Sequence, residues 1–193
     1  NLEGIPYAAR DTANRKQLDR DIAAAREDVD GLLAERPFEG GDLHSWEKRE
    51  RYGAAQERLD TLLNIQTASQ SVPGGAPRFL VSLTDDQPPL AAVSIGNVDT
   101  ASNVSVLVPG MGTTTSDMSD WTRGAEQVYA SANAAGGPGD RAVIAWIGYK
   151  TPPVPVQLGQ VDVLKNDMAE AGGHRLAGAL AGIAAVRAES RPR

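Results

Sequence analysis

The chain lacks cysteine altogether and has only two histidines and few aromatic side chains. Without cysteine, structural disulfides and thiolate metal sites are excluded, and the redox compartment leaves no mark. His44 and His174 stand far apart in the sequence, which argues against a catalytic zinc site. No metal and no cofactor is expected. Aromatics make up 5% of the residues, and alanine and glycine take their place, so close packing of small side chains is expected. Positive charge is also short: 19 lysines and arginines stand against 25 carboxylates, a net charge of −6. That balance argues against nucleic acid and anionic membrane as main partners. No apolar run approaches the ~18 residues of a membrane span, and no basic-then-apolar leader is visible. The compartment, cytoplasmic or secreted, stays unknown. The first residue is Asn1 rather than methionine, so an upstream segment is expected to have been removed or left out.

What is present divides into two compositional halves. Residues 1–70 read as a helical hairpin extension. Leu18, Ile22, Ala25, Val29 and Leu32 recur at steps of three and four, with charges between them. The stretch Arg36-Pro37-Phe38-Glu39-Gly40-Gly41 breaks that helix. Ser45 is then a candidate cap for a second helix, with Glu47 in its first turn and Tyr52, Ala55, Leu59, Leu62 and Leu63 as its apolar stripe. Two packed amphipathic helices account for this pattern; a partner-binding or lid-like arm is the sharper alternative.

After the turn-rich residues 71–77 the period shortens. Residues 78–84 and 90–95 predict two strands, close enough to pair as a hairpin. A third strand, about 103–108, runs into Pro109-Gly110-Met111-Gly112-Thr113-Thr114-Thr115. A helix is predicted from Ser116 to Ala134, ended by Gly136-Gly137-Pro138-Gly139, with Asp117 and Asp120 favouring its N-terminus. Residues 141–147 form a nearly all-apolar strand, as expected when both sheet faces are covered. Strand, helix and strand at this spacing make a βαβ unit. Residues 148–158 are proline-rich and irregular. Residues 161–171 and 174–189 read as two further helices, with His174 at the start of the second.

The strand-to-helix junction at Gly110 and Gly112 is the strongest chemical signal. Such a turn aims backbone N–H groups at whatever sits above the strand end. On spacing alone three readings stay open: a simple tight turn, an oxyanion cradle for acyl transfer, and phosphate-ligand binding. The third glycine of a dinucleotide fingerprint and the lysine of a Walker loop are both missing.

The run Val104–Thr115 resembles the oxyanion-loop segment of an actinobacterial α/β-hydrolase family long catalogued as a domain of unknown function. Three other segments agree in order. Arg10-Asp11-Thr12-Ala13-Asn14-Arg15 resembles the family's N-terminal helical segment. Ala145-Trp146-Ile147-Gly148-Tyr149 with Thr151-Pro152-Pro153 resembles its strand-four motif, although an acidic residue is usual where Lys150 stands. Asn166-Asp167-Met168-Ala169 through Gly172-Gly173-His174-Arg175-Leu176 resembles the helix that precedes the nucleophile strand.

The resemblance implies an α/β fold: a partial hydrolase-like sheet, made of a two-strand hairpin plus a βαβ unit, after a helical hairpin. Residues 78–193 would be the N-terminal half of the hydrolase domain. The implied activity is that of a serine hydrolase on a small ester or related acyl substrate. Met111 N–H is the first implied oxyanion donor and Gly112 N–H the second, with Gly110 making the turn. Thr113 and Tyr149 would line the substrate pocket. The family continues with a Gly-His-Ser-Tyr-Gly-Ser elbow that this chain does not contain. Ser116 and Ser119 lie near the glycine turn, but neither sits in a Gly-x-Ser-x-Gly setting. The nucleophile, acid and histidine are therefore expected from a partner: the remainder of the hydrolase domain, as another chain, a cleaved product or further residues. Residues 1–193 alone are expected to be inactive. A non-catalytic assembly module using the helical hairpin is the alternative from another class.

Overall fold

Side chains along the strand Arg141–Ile147 alternate between two buried clusters, and this alternation organises the molecule. A computed structural model describes residues 5–36, 43–136, 140–152 and 167–189. The elements are α1 (Tyr7–Ala34), α2 (Leu43–Ser69), β1 (Arg78–Leu83), β2 (Ala91–Ile95), β3 (Asn103–Leu107), a 3-10 turn (Thr115–Asp117), α3 (Met118–Ala134), β4 (Arg141–Ile147) and α4 (Asp167–Glu189).

The sheet runs β1-β2-β4-β3. β1 and β2 pair antiparallel, as the hairpin reading expects, with a register shift between Leu80 and Ser82. β2 also pairs antiparallel with β4, Val93 opposite Ala145. β3 and β4 are parallel, Val106 opposite Ile144, so the βαβ unit forms as predicted.

Val143, Ala145 and Ile147 of β4 join Val93 and Ile95 of β2 in one cluster with Leu18 and Ile22 of α1, Leu62 and Ile65 of α2, and Met118 and Ala125 of α3. Ala142, Ile144 and Trp146 face the other way, toward Ile183 and Val186 of α4. That is the period of two expected of a strand. Helices thus cover both faces, which explains the apolar run at 141–147. Each fully buried Ile or Val there contributes about 1.5–3 kcal/mol.

β1 is an edge strand, and α1 closes its open side. The Leu80 N–H donates to Asp11 Oδ1 at 2.6 Å. Asn14 Nδ2 donates to the Leu80 carbonyl at 2.8 Å. Arg15 Nη2 donates to the Arg78 carbonyl at 3.1 Å. The Asp11 and Asn14 side chains therefore do what a neighbouring strand would do: one accepts, the other donates. The start of α1 is itself held by Asp99, whose carboxylate accepts the N–H groups of Tyr7 and Ala8 at 2.7 and 2.9 Å.

Three sequence expectations require correction. Gly172 and Gly173 do not separate two helices; α4 runs through them. Gly172 is selected by close approach, since a Cβ there would lie 2.7 Å from the Tyr149 ring. His174 consequently lies in the body of the helix, on its exposed side, not at a helix start. Ser45 lies inside α2, buried, instead of capping it from outside, and Glu47 falls beyond the first turn. The helix begins upstream because the run from Leu43 onward is itself helix-compatible. The predicted break at Pro37–Gly41, the helix over 161–166 and the side chain of His44 lie outside the described residues.

Candidate functional site

β3 and β4 are parallel, so their carboxyl ends lie side by side, and the two loops leaving them meet. In open α/β sheets this is where ligands bind. The glycine loop after β3 is fastened to the loop after β4 at three points. Tyr149 Oη donates to the Pro109 carbonyl at 2.9 Å. The Gly112 N–H donates to the Pro152 carbonyl at 2.9 Å. Thr151 Oγ1 donates to the Thr113 carbonyl at 2.8 Å.

Beyond the loop, the Thr114 N–H donates to Asp117 Oδ2 at 2.9 Å. Asp117 thus acts at the helix start, as expected for an acidic residue there. Thr115, fully buried, donates through Oγ1 to the Pro89 carbonyl at 2.6 Å. Gly112 has φ of 76°, a left-handed conformation that explains why glycine stands there.

The expected site residues fall in this one region. Gly110 and Met111 sit at the exposed crown of the loop, with the Met111 side chain 55% exposed. Among the described residues no acceptor meets the Met111 N–H, whereas the Gly112 N–H is spent on Pro152. Thr113 and Tyr149 line a cavity of about 170 Å³ together with Thr114, Thr115, Lys150 and Thr151. The Tyr149 ring also stacks on Trp146, centroids 5.9 Å apart.

Sequence reading missed Thr151 and Pro152 as anchors. No local signal marks them, because their partners lie some forty residues earlier.

Neither serine near the loop has a general base. Ser116 Oγ and Thr61 Oγ1 of α2 share a hydrogen bond of 3.0 Å. Ser119 binds Asn64 of α2 through both N–H, at 2.9 Å, and Oγ, at 3.4 Å. These contacts tie α2 to the start of α3. Asp120 pairs with Arg123 at 2.9 Å on the exposed side of α3. Among the described residues no group of three potential ligands gathers for a metal ion, and no helix is long and apolar enough to cross a membrane.

A second cavity, of about 290 Å³, opens beside Tyr149 and Lys150, walled by Asp86, Asp167, Met168 and Arg175. Arg175 of α4 pairs with Asp86 at 2.8 Å. That hydrogen bond holds the Asp86 carboxyl below the ordinary 3.8; partial burial opposes it, while the Thr84 hydroxyl and the charges of Arg175 and Lys150 assist. The Arg175 guanidinium is raised in turn by the bond to Asp86.

The comparisons with known proteins agree with this geometry. A family profile described as alpha/beta hydrolase matches residues 85–192. Two uncharacterized proteins of Mycobacterium tuberculosis, one from each of two strains, are each 31% identical over 169 residues. The match covers 79% of this chain but 24% of each relative, so the chain spans about a quarter of their length. No solved structure matches. A profile match over more than half the residues, on a sheet of order β1-β2-β4-β3 with a glycine loop at the carboxyl end of β3, shows that the chain belongs to the alpha/beta hydrolase family.

Proposed function

We propose that residues 78–193 are the oxyanion-binding half of a serine hydrolase acting on an ester or related acyl substrate, with residues 1–70 as a helical extension. The observation that carries this reading is the Met111 N–H: it is unbonded among the described residues, at the crown of a loop held on both sides. A fixed donor of this kind stabilises charge that develops during reaction without reorganising.

A second observation supports the missing half. Among the described strands β3 pairs with β4 alone, and its residues are at most half-buried while those of β4 after Arg141 are buried. A strand laid along the free side of β3 would pair its backbone groups. It would also bring a nucleophile to the glycine loop.

In the proposed reaction a serine from that segment attacks the acyl carbonyl carbon while a histidine takes the serine proton. The carbonyl oxygen becomes an oxyanion facing the Met111 N–H. Collapse expels the alcohol, which takes the proton from the histidine, and leaves an acyl-enzyme. Water, deprotonated by the same histidine, then releases the acid. The Gly112 N–H serves as second donor only if Pro152 yields it.

A serine-directed fluorophosphonate tests this on the full-length protein. Labelling is expected, and it should vanish when the elbow serine is replaced. An intact, folded protein that does not label would overturn the reading. Intact mass tests the missing half: a single native species of 20.3 kDa would sink it.

One observation favours the alternative of an assembly module. At the end of the helical hairpin Trp46 is 64% exposed, with the Arg49 guanidinium 4.5 Å over its ring, and Leu33 of α1 is exposed as well.

A further inference from the structure

Tyr149 lines the cavity beside the glycine loop, and its hydroxyl is engaged by the loop itself: it donates to the Pro109 carbonyl at 2.9 Å. Its ring is confined from two sides. Trp146 of β4 stacks on it at 5.9 Å with 19° between the planes. Gly172 of α4 lies so close that a Cβ would sit 2.7 Å from Cδ2 and 2.9 Å from Cγ. A ring held by a buried tryptophan and a helix backbone has little rotamer freedom left, so its hydroxyl is a fixed point in space.

We infer that Tyr149 is a positioning residue for the oxyanion loop, and that Gly172 sets its place. The inference rests on the hydrolase reading for its catalytic purpose, but not for its geometry. Pro109 immediately precedes the crown of the loop, and Gly112 and Thr113 follow it, held by Pro152 and Thr151. The donor at Met111 is therefore suspended between one anchor before it and two after it. The anchor before it comes from Tyr149 alone among the described contacts. Through Gly172, that anchor is coupled to α4. A shift of α4 at Gly172 would move the tyrosine, and with it the amide that is to meet the oxyanion. An error of even 1 Å in such a donor is costly to catalysis.

The test combines amide exchange with labelling in the full-length protein. In Tyr149→Phe the ring stays and the anchor goes. Exchange protection of the peptide covering residues 109–114, to which the bonded Gly112 amide contributes, should fall about fivefold to tenfold, the worth of one ordinary hydrogen bond. Protection across β4 should not change. Gly172→Ala should produce the same local loss although the hydroxyl is still present, because the added Cβ pushes the ring aside.

For the fluorophosphonate, Tyr149→Phe should lower the maximal labelling rate about tenfold and leave the half-saturating concentration unchanged. A residue of merely structural importance would loosen β4 as well, or shift both labelling parameters together. Unchanged protection at 109–114 in both variants would overturn the inference. Loss of protection at 109–114 with an unaltered maximal rate would overturn its catalytic purpose. A wild-type protein that does not label would refute the hydrolase reading itself, and the exchange data would still decide whether Tyr149 positions the loop.

Discussion

The two edges of the sheet are treated in opposite ways. On one side, β1 offers its open backbone groups to α1, and Asp11, Asn14 and Arg15 take them up one by one. On the other side, β3 pairs with β4 alone among the described strands, and side chains reach its backbone only at the two ends: Arg187 of α4 donates to the Ser102 carbonyl and Trp121 of α3 to the Leu107 carbonyl. Proteins normally blunt an exposed edge, because a row of free N–H and C=O groups invites association. The two edges are thus closed unequally: three side chains of α1 cover the first, and two contacts reach only the ends of the second.

The largest expected effect comes from opening the closed edge. Replacing Asp11 and Asn14 together by alanine strips both partners from Leu80. It should cost about 2–4 kcal/mol in a denaturant titration, since two partly buried backbone groups lose their bonds. The variant should also self-associate on size exclusion. A monomer of unchanged stability would show that α1 does not protect this edge.

Closing the open edge is the converse. On the proposed reading, outward amides of β3 should exchange about a hundredfold faster than those of β4 in residues 1–193 alone, and a segment laid along β3 should protect them. Equal protection in both would remove the contrast.

A smaller effect is expected where β1 is tied to the helices. Arg78, whose side chain is 9% exposed, pairs with Glu126 of α3 at 3.0 Å and donates to the Ala68 carbonyl of α2. Glu126→Gln keeps the shape and removes the charge, and should cost about 1–2 kcal/mol by thermal or chemical denaturation.

The smallest effect concerns Asp86, in the loop that follows β1, and Arg175 of α4. The Asp86 carboxyl is depressed in the folded state, so its contribution is present above the ordinary 3.8 and is lost as pH falls through the lower folded value. The pair is partly exposed, so Asp86→Asn should cost less than about 1 kcal/mol at neutral pH and nothing in strong acid. A cost that persists unchanged in strong acid would contradict this assignment.

Much of the sheet was legible because its strands announce themselves locally. β4 reads as an apolar run, β3 as a short branched run stopped by Pro109, and the first two strands as a hairpin around proline-rich residues. The glycine loop was legible for the same reason: Gly110 and Gly112 punctuate the chain. What remained hidden depends on distant partners. Nothing near Asp11 says that its carboxylate will meet an amide 69 residues later. Nothing near Gly112 says that Pro152 will claim its N–H. The glycine pair in α4 misled for a related reason. Gly172 looks like a helix breaker until the Tyr149 ring that occupies the missing Cβ is known.

The contacts between α2 and the start of α3 bear on where this protein can be cut. The family match begins at residue 85. A truncation to that boundary would remove β1 and, with α2, the partners of Ser116 and Ser119. It would also bare the face of the sheet on which Leu62 and Ile65 now rest. The N-terminal helices thus brace the first turn of the helix that follows the glycine loop, and a domain boundary drawn from sequence similarity alone would discard that brace.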